Sequence, residues 1–274
     1  MANFFIGGAM RSGTTLLQGI LCSDEATNPM IAEANYFFHM VRIYEHGREH
    51  FDAFGKHYFR DLAEYERFNR ENVRRFLEIT RERWSPCAHL VLKHPEMTRD
   101  FGAIHVLVPD ARFIVVVRDP RDTIASMMGV AERQAKQGRR SRFASMGRDM
   151  RRLAQLYKSF YGPFLNLTDD RLKAVTLMLK YENLVTNPDR VVKEIAAFTG
   201  LNLAGFDPGR PWPRAADDLD TRKEGWVEAP WASEQYGEAI SRERIGSYRE
   251  RLSGDEAATI ERECADVFET FGYQ

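Results

Sequence analysis

Phe4-Phe5-Ile6-Gly7-Gly8-Ala9-Met10-Arg11-Ser12-Gly13-Thr14-Thr15, followed directly by Leu16-Leu17-Gln18-Gly19-Ile20-Leu21, is the stretch whose reading decides the fold. Phe4 to Ile6 is a short apolar run without helical period, and Gly7 to Gly13 is a glycine-punctuated turn. Leu16, Leu17, Ile20 and Leu21 recur on one face of a helix. The order is therefore strand, loop, helix. A glycine-rich loop in that setting presents successive backbone N–H groups to an anion, and the positive end of the helix dipole adds to the attraction.

From Gly8 to Thr15 the spacing fits the nucleotide-binding pattern G-x-x-x-x-G-K-[ST] at every position but one, where Thr14 replaces the lysine. Arg11 is the one cation within the loop. A phosphate loop lacking its lysine is not by default an ATP site, and a turn whose glycines serve only close packing is the alternative at this point.

Working outward, 274 residues with 43% hydrophobic and 29% charged side chains suit a folded globular chain, which we expect to form one domain over residues 1–274. The 39 Lys and Arg against 40 Asp and Glu leave a net charge of −1, so nothing draws the whole surface toward nucleic acid or anionic membrane. Any anion site must be local. Cys22, Cys87 and Cys264 are odd in number and lack metal-ligand spacing, which argues against a disulfide framework or a zinc site. With no signal-like start and no long uncharged apolar run, a reducing cytoplasm is the expected location.

Further along, Glu33 closes the short run Met30-Ile31-Ala32, and residues 36 to 84 are helix-favouring with few breakers. His89 to Leu92 reads as a second strand running into Lys93-His94-Pro95. Arg112-Phe113-Ile114-Val115-Val116-Val117 is a continuous β-branched run, as in a strand buried on both faces of a parallel sheet. It ends in Arg118-Asp119-Pro120-Arg121-Asp122, where Asp122 is the expected N-cap of a helix from Thr123 that carries Ser126 in or near its first turn.

Residues 130–160 are helical and rich in arginine, with Glu132 and Asp149 opposing; this is either a solvated face or a surface that guides anionic ligands. Ala174 to Leu179 reads as a further strand running into Lys180-Tyr181-Glu182. Asn187 then caps a helix with Pro188 first, apolar Val191, Val192, Ile195 and Phe198, and Gly200 as its stop. The stretch 202–240 has no period, and its Trp212, Trp226 and Trp231 either anchor a loop or belong to a lid. Ser253-Gly254-Asp255-Glu256 is a capping box, and Ile260, Cys264, Val267, Phe268 and Phe271 make one final amphipathic helix.

Strands separated by helices imply an α/β fold with a mostly parallel sheet covered on both faces, and in such sheets ligands lie at the carboxyl ends of the strands. The four strands end in Gly7-Gly8, Lys93-His94, Arg118-Asp119 and Tyr181-Glu182. One edge thus collects a phosphate loop, cations and a candidate base.

These residues resemble the sulfotransferases that use 3′-phosphoadenosine 5′-phosphosulfate (PAPS). Arg11-Ser12-Gly13-Thr14-Thr15-Leu16 is similar to the family's 5′-phosphosulfate loop in the form found in tyrosylprotein and many bacterial members. The strand entering Arg118, with Ser126 eight residues on, resembles the 3′-phosphate motif. Tyr181-Glu182-Asn183-Leu184-Val185 resembles the segment whose tyrosine lies near the adenosine phosphate. Ile245-Gly246-Ser247-Tyr248-Arg249 is similar to the element that closes over the nucleotide, which marks Ser247 and Arg249 as contacts. The resemblance runs in order from residue 3 to 252. It implies the three-layer fold of the P-loop NTPases, PAPS as donor with adenosine 3′,5′-bisphosphate (PAP) as product, no metal, and a small-molecule, glycan or peptide acceptor.

Sulfuryl transfer, like phosphoryl transfer, is an in-line displacement catalysed mainly by position and charge. Arg11 and Lys93 are the cations available to the transferred group. For the general base the resemblance leaves a choice. Glu33 falls where tyrosylprotein members place a catalytic glutamate. Lys93-His94-Pro95 is similar to the histidine segment of cytosolic members with one residue missing, which turns His94 to the other face of an extended chain. We expect Glu33. Two other readings are a P-loop kinase with Asp119 holding magnesium, against which the absent loop lysine counts, and a non-catalytic nucleotide-binding protein of the same fold.

Overall fold

A computed structural model describes residues 1–84, 87–138, 145–165, 168–210, 214 and 238–274. Its centre is a parallel four-stranded sheet of strands β1 (Ala2–Gly8), β2 (His89–Lys93), β3 (Ala111–Val117) and β4 (Thr176–Lys180), in the order β2-β1-β3-β4. Ile6 lies opposite both Lys93 and Ile114, Gly8 opposite Val116, and Val117 opposite Lys180. This register brings the four carboxyl ends to one edge.

Alternation along the strands explains why both faces are covered. Phe5, Leu90, Leu92, Phe113, Val115 and Val117 enter one core, while Phe4, Ile6, Val91, Ile114 and Val116 enter the other. The second core is closed by α1 (Thr14–Leu21) and, later in the chain, by Val191, Val192 and Ile195. Against the first core lie α2 (Asn35–Glu49), α3 (Leu62–Arg83), α4 (Phe101–Leu107), α5 (Pro120–Lys136) and α6 (Met150–Leu165). Residues 36–84 form the expected helical excursion as two helices and a short 3-10 turn, Gly55–His57.

Several local expectations need correction. Asp122 does not cap α5: the helix begins at Pro120, and the Asp119 carboxylate accepts the Arg121 N–H at 2.8 Å. Proline suits that first position because its missing N–H would have had no helical partner. Ala174 ends a short helix, α7 (Asp170–Ala174), and the strand starts two residues later at Thr176. Next come α8 (Tyr181–Thr186) and α9 (Pro188–Thr199); α9 stops at Gly200 in the left-handed region as expected, but Asn187 makes no side-chain cap bond. The capping box at Ser253 is present. The final helix is instead two, α10 (Gly254–Glu263) and α11 (Ala265–Phe271), separated at Cys264.

The basic stretch acquires partners that its linear neighbourhood hides. Arg148 pairs with Glu256 at 2.6 Å and Arg151 with Glu263 at 3.6 Å, both acids lying on α10. This part of the stretch fastens α6 and the loop before it to the end of the chain. Residues 139–144, like Trp212, Trp226 and Trp231, lie outside the described residues. No helix among the described residues is long and apolar enough to cross a membrane.

Candidate active site

The loop after β1 is built by backbone conformations that few residues adopt. Gly8 has φ 139° and Gly13 φ 103°, and Arg11, at φ 72°, is the one non-glycine with positive φ among the described residues. A Cβ on Gly13 would sit 2.6 Å from Tyr181 Cδ2, so only glycine lets the loop lie on that ring. Ser12 turns inward: its N–H donates to Ala9 O at 3.1 Å and its side chain is fully buried. The donors left at the mouth are the first-turn N–H groups of α1, from Gly13 through Leu16, which have no intrahelical acceptor. Thr14 is buried and Thr15 half-buried.

Behind the loop, buried hydroxyls hold the strand ends. Gly8 N–H donates to Thr98 Oγ1 at 2.6 Å, Ala9 N–H to Tyr161 Oη at 2.8 Å, and Tyr161 Oη to Val116 O at 2.9 Å. Tyr157 Oη donates to Arg118 O at 2.6 Å. Sequence reading missed these residues. The available signal was the i, i+4 tyrosine pair on the apolar face of α6, since a buried phenol must find an acceptor.

Arg118 is buried at the end of β3. Its Nη1 donates to Arg11 O at 3.2 Å, its Nη2 to Arg244 O at 2.6 Å, and its guanidinium lies 4.5 Å from the centroid of the Tyr181 ring. Its Nε is buried without a protein acceptor. Arg11 Nε donates to Ser126 Oγ at 3.1 Å, so the loop and the first half of α5 touch directly. Arg11, Arg118, Ser126 and Tyr181 therefore come together around Gly13. The residue placed first in the kinase reading is committed elsewhere: the Asp119 carboxylate holds Arg121, with Arg121 Nη2 at 2.6 Å.

Ser247 and Arg249 belong to a 3-10 turn, Ser247–Glu250, seated on α5 by Asp122. Asp122 accepts the N–H groups of Gly246 at 2.8 Å and Tyr248 at 2.9 Å, and the Ser247 hydroxyl at 3.4 Å. The carboxylate expected to cap a helix thus anchors a segment more than a hundred residues away in sequence. Arg249 is exposed and lies over the Tyr248 ring, 4.7 Å from its centroid.

At the other side of the loop, Lys93 Nζ donates to Glu33 Oε1 at 2.9 Å; the lysine side chain is 8% exposed and the glutamate 43%. Glu33 is positioned by Ala34, whose N–H donates to Lys93 O at 2.9 Å just before α2 begins. His94 makes a different set of contacts. Its Nδ1 accepts the Glu96 N–H at 3.2 Å, which leaves Nε2 to donate to Asn35 Oδ1 at 3.1 Å. The ring stacks on Phe38 with centroids 4.4 Å apart, and burial pushes the imidazole pKa below its ordinary value. Nε2 thus ties the strand end to α2, while Nδ1 caps the 3-10 turn Pro95–Asp100 that follows it. Among the described residues no three His, Cys, Asp or Glu side chains gather as metal ligands.

Solved structures share this architecture. The sulfotransferase domain from the curacin biosynthetic pathway is 17% identical and superposes with a TM-score of 0.58 over 96% of this chain and 97% of that one. The sulfotransferase domain of the Synechococcus PCC 7002 olefin synthase is 17% identical, with a TM-score of 0.57 over 100% and 94% of the two chains. The sulfotransferase STF9 from Mycobacterium avium is 14% identical, with a TM-score of 0.52 over 99% and 77%. At such identities the likeness shows the common P-loop NTPase-like fold. A sequence search of curated proteins gives no match. A family model described as "Sulfotransferase family" matches residues 3–205, so the phosphate loop, the Lys93 strand, Arg118 with Ser126, and Tyr181 all fall within the match, and the chain belongs to the sulfotransferase family.

Proposed function

We propose that the protein transfers the sulfuryl group of PAPS to a hydroxyl or amine of an acceptor, with residues 1–274 acting as one catalytic domain. The observation that carries this reading is the pairing of two anion-binding elements at one sheet edge. The loop donors of Gly13 to Thr15 adjoin a separate group at Arg118 and Ser126, joined through the Arg11–Ser126 contact of 3.1 Å. A nucleotide with phosphates at both the 5′ and 3′ positions needs two such elements. The buried Arg118 Nε, which lacks a protein acceptor, fits an anion at that place.

When bound, PAPS supplies a sulfuryl group on a leaving phosphate that is already an anion. The chain's residues then divide the remaining work. Loop N–H groups would hold the 5′-phosphate, Arg118 and Ser126 the 3′-phosphate, and Tyr181, lying against Gly13 and Arg118, would steady both elements. Arg11 and Lys93 oppose the charge that develops as the group moves. Glu33 takes the acceptor proton, because its carboxylate is paired with Lys93 and yet open to solvent. Ser247 and Arg249 close the nucleotide side. The acceptor is a small molecule, glycan or peptide, and the three free cysteines suit the reducing cytoplasm.

Isothermal titration with PAP and, separately, with ATP and magnesium tests the reading. Tight binding of PAP with weak binding of ATP is expected. Tight ATP binding without PAP binding would overturn it, and PAP binding without turnover across a broad acceptor panel would leave a binding protein of the same fold.

A further inference from the structure

We propose that Glu182 and Tyr273 are positioning residues for Arg118, so that the segment following α11 takes part in holding the donor's 3′-phosphate. The inference rests on the assignment of that phosphate to Arg118.

Arg118 sits in the short connection between β3 and α5, and its aim depends on where that backbone turns. Glu182 grips the turn: its Oε1 accepts the Asp119 N–H at 2.9 Å. Its Oε2 accepts the Tyr273 hydroxyl at 3.0 Å. One carboxylate thus ties the peptide adjoining Arg118 to a residue more than 150 positions further along the chain.

Tyr273 is in turn held by neighbours of the same turn. Lys180 Nζ lies 4.0 Å from the centroid of its ring and donates to Phe271 O at 2.7 Å. Arg121, paired with Asp119, donates to Gln274 O and to Glu261 Oε1, the latter at 2.6 Å. Glu182 also follows Tyr181, whose ring carries the Arg118 guanidinium. Face and base of the arginine are therefore set by consecutive residues of α8. Without the phenol, the carboxylate loses the partner that fixes Oε2, and a side chain with three rotatable bonds is freer to leave the Asp119 N–H.

The experiment compares binding of PAP with binding of adenosine 5′-phosphate, which lacks the 3′-phosphate. Tyr273→Phe keeps the ring and removes the donated proton. We expect it to weaken PAP binding about tenfold, on the scale of one well-placed hydrogen bond to a charged group, and to leave adenosine 5′-phosphate binding unchanged. Glu182→Gln should retain the wild-type preference, because its amide oxygen still accepts from Asp119 and its amide N–H₂ donates to the phenol oxygen. Glu182→Ala should lose the preference. If both nucleotides weaken equally in Tyr273→Phe, or neither does, the positioning role is overturned whether or not Glu182→Ala folds. If the wild-type protein itself fails to distinguish the two nucleotides, the Arg118 assignment falls instead, and this inference with it.

Discussion

Lys93 Nζ donates to Glu33 Oε1 at 2.9 Å, joining the end of β2 to the residue two before α2. The pair is asymmetric: the lysine is enclosed and the carboxylate is open to solvent. The enclosed ammonium needs a hydrogen-bond acceptor, which Oε1 supplies, and the open carboxylate has a second oxygen besides. Glu33 can therefore serve as the lysine's partner at rest and still meet an incoming acceptor.

Glu33→Gln keeps an oxygen for Lys93 and removes the proton acceptor. PAP affinity should stay nearly unchanged while turnover drops on the order of 10²-fold or more, the usual scale of general-base catalysis. Titration and steady-state rates on the same preparation check both halves. The same phenotype in His94→Ala, with Glu33→Gln active, would move the base to His94.

Arg118→Lys retains charge but not the fork that spans Arg11 O and Arg244 O while lying on Tyr181. PAP affinity should fall roughly 10- to 100-fold, about 1.4 to 2.8 kcal/mol, and adenosine 5′-phosphate affinity much less. Equal affinity for PAP in variant and wild type would remove Arg118 from the site.

Gly13→Ala must place a Cβ 2.6 Å from Tyr181 Cδ2 at a φ of 103°. The left-handed conformation alone costs about 1–2 kcal/mol for an L residue, and the contact adds to it. A lower melting temperature together with lost PAP binding is expected. Calorimetry with and without PAP reads both.

Asp122→Ala leaves the Gly246 and Tyr248 N–H groups without their acceptor and removes a buried carboxylate 3.9 Å from Arg118. A loss on the order of 3 kcal/mol is expected from the hydrogen bonds to a charged group, read as a shift of the urea midpoint. Protease cleavage within residues 244–250 should accelerate at the same time. Asp122→Asn, which keeps one acceptor oxygen, should fall between.

Low pH should strain the corner around His94. Burial lowers its pKa, so the unfolded chain binds the proton more readily than the folded one. Its contribution to stability is intact above the ordinary imidazole value of about 6.5 and is lost as pH falls below it toward the depressed folded value. The Glu96 N–H then faces a protonated Nδ1 in place of a lone pair. His94→Asn, able to accept that N–H, should show a flatter dependence of melting temperature on pH below the ordinary imidazole value of about 6.5. An unchanged slope would assign the acid sensitivity to other groups.

The sequence by itself determined the strands, the loop and most helices, because each is written in local pattern. Phe4 to Ile6, Leu90 to Leu92 and Phe113 to Val117 are continuous apolar runs, readable as strands buried on both faces without knowing what covers them. The phosphate loop was legible for the same reason, since the positive φ of Gly8 and Gly13 is a local demand, although the close approach that Gly13 makes to Tyr181 is not. Arg11, Lys93, Arg118 and Tyr181 followed once the strands were ordered, since parallel strands bring their carboxyl ends to one edge.

Only the tertiary structure decided what those residues hold. Asp122 read as a helix cap because a carboxylate before a helix has that local use, yet its acceptors serve Gly246 and Tyr248, and Asp119 takes the cap. Arg148 and Arg151 read as a solvated or ligand-guiding face because Glu256 and Glu263 stand a hundred residues away. The pairing of Glu33 with Lys93, and of Glu182 with Tyr273, has no period or spacing to betray it. Hydrogen bonds and ion pairs act over a few ångströms in space, and pattern along the chain reports them only when both partners share one element.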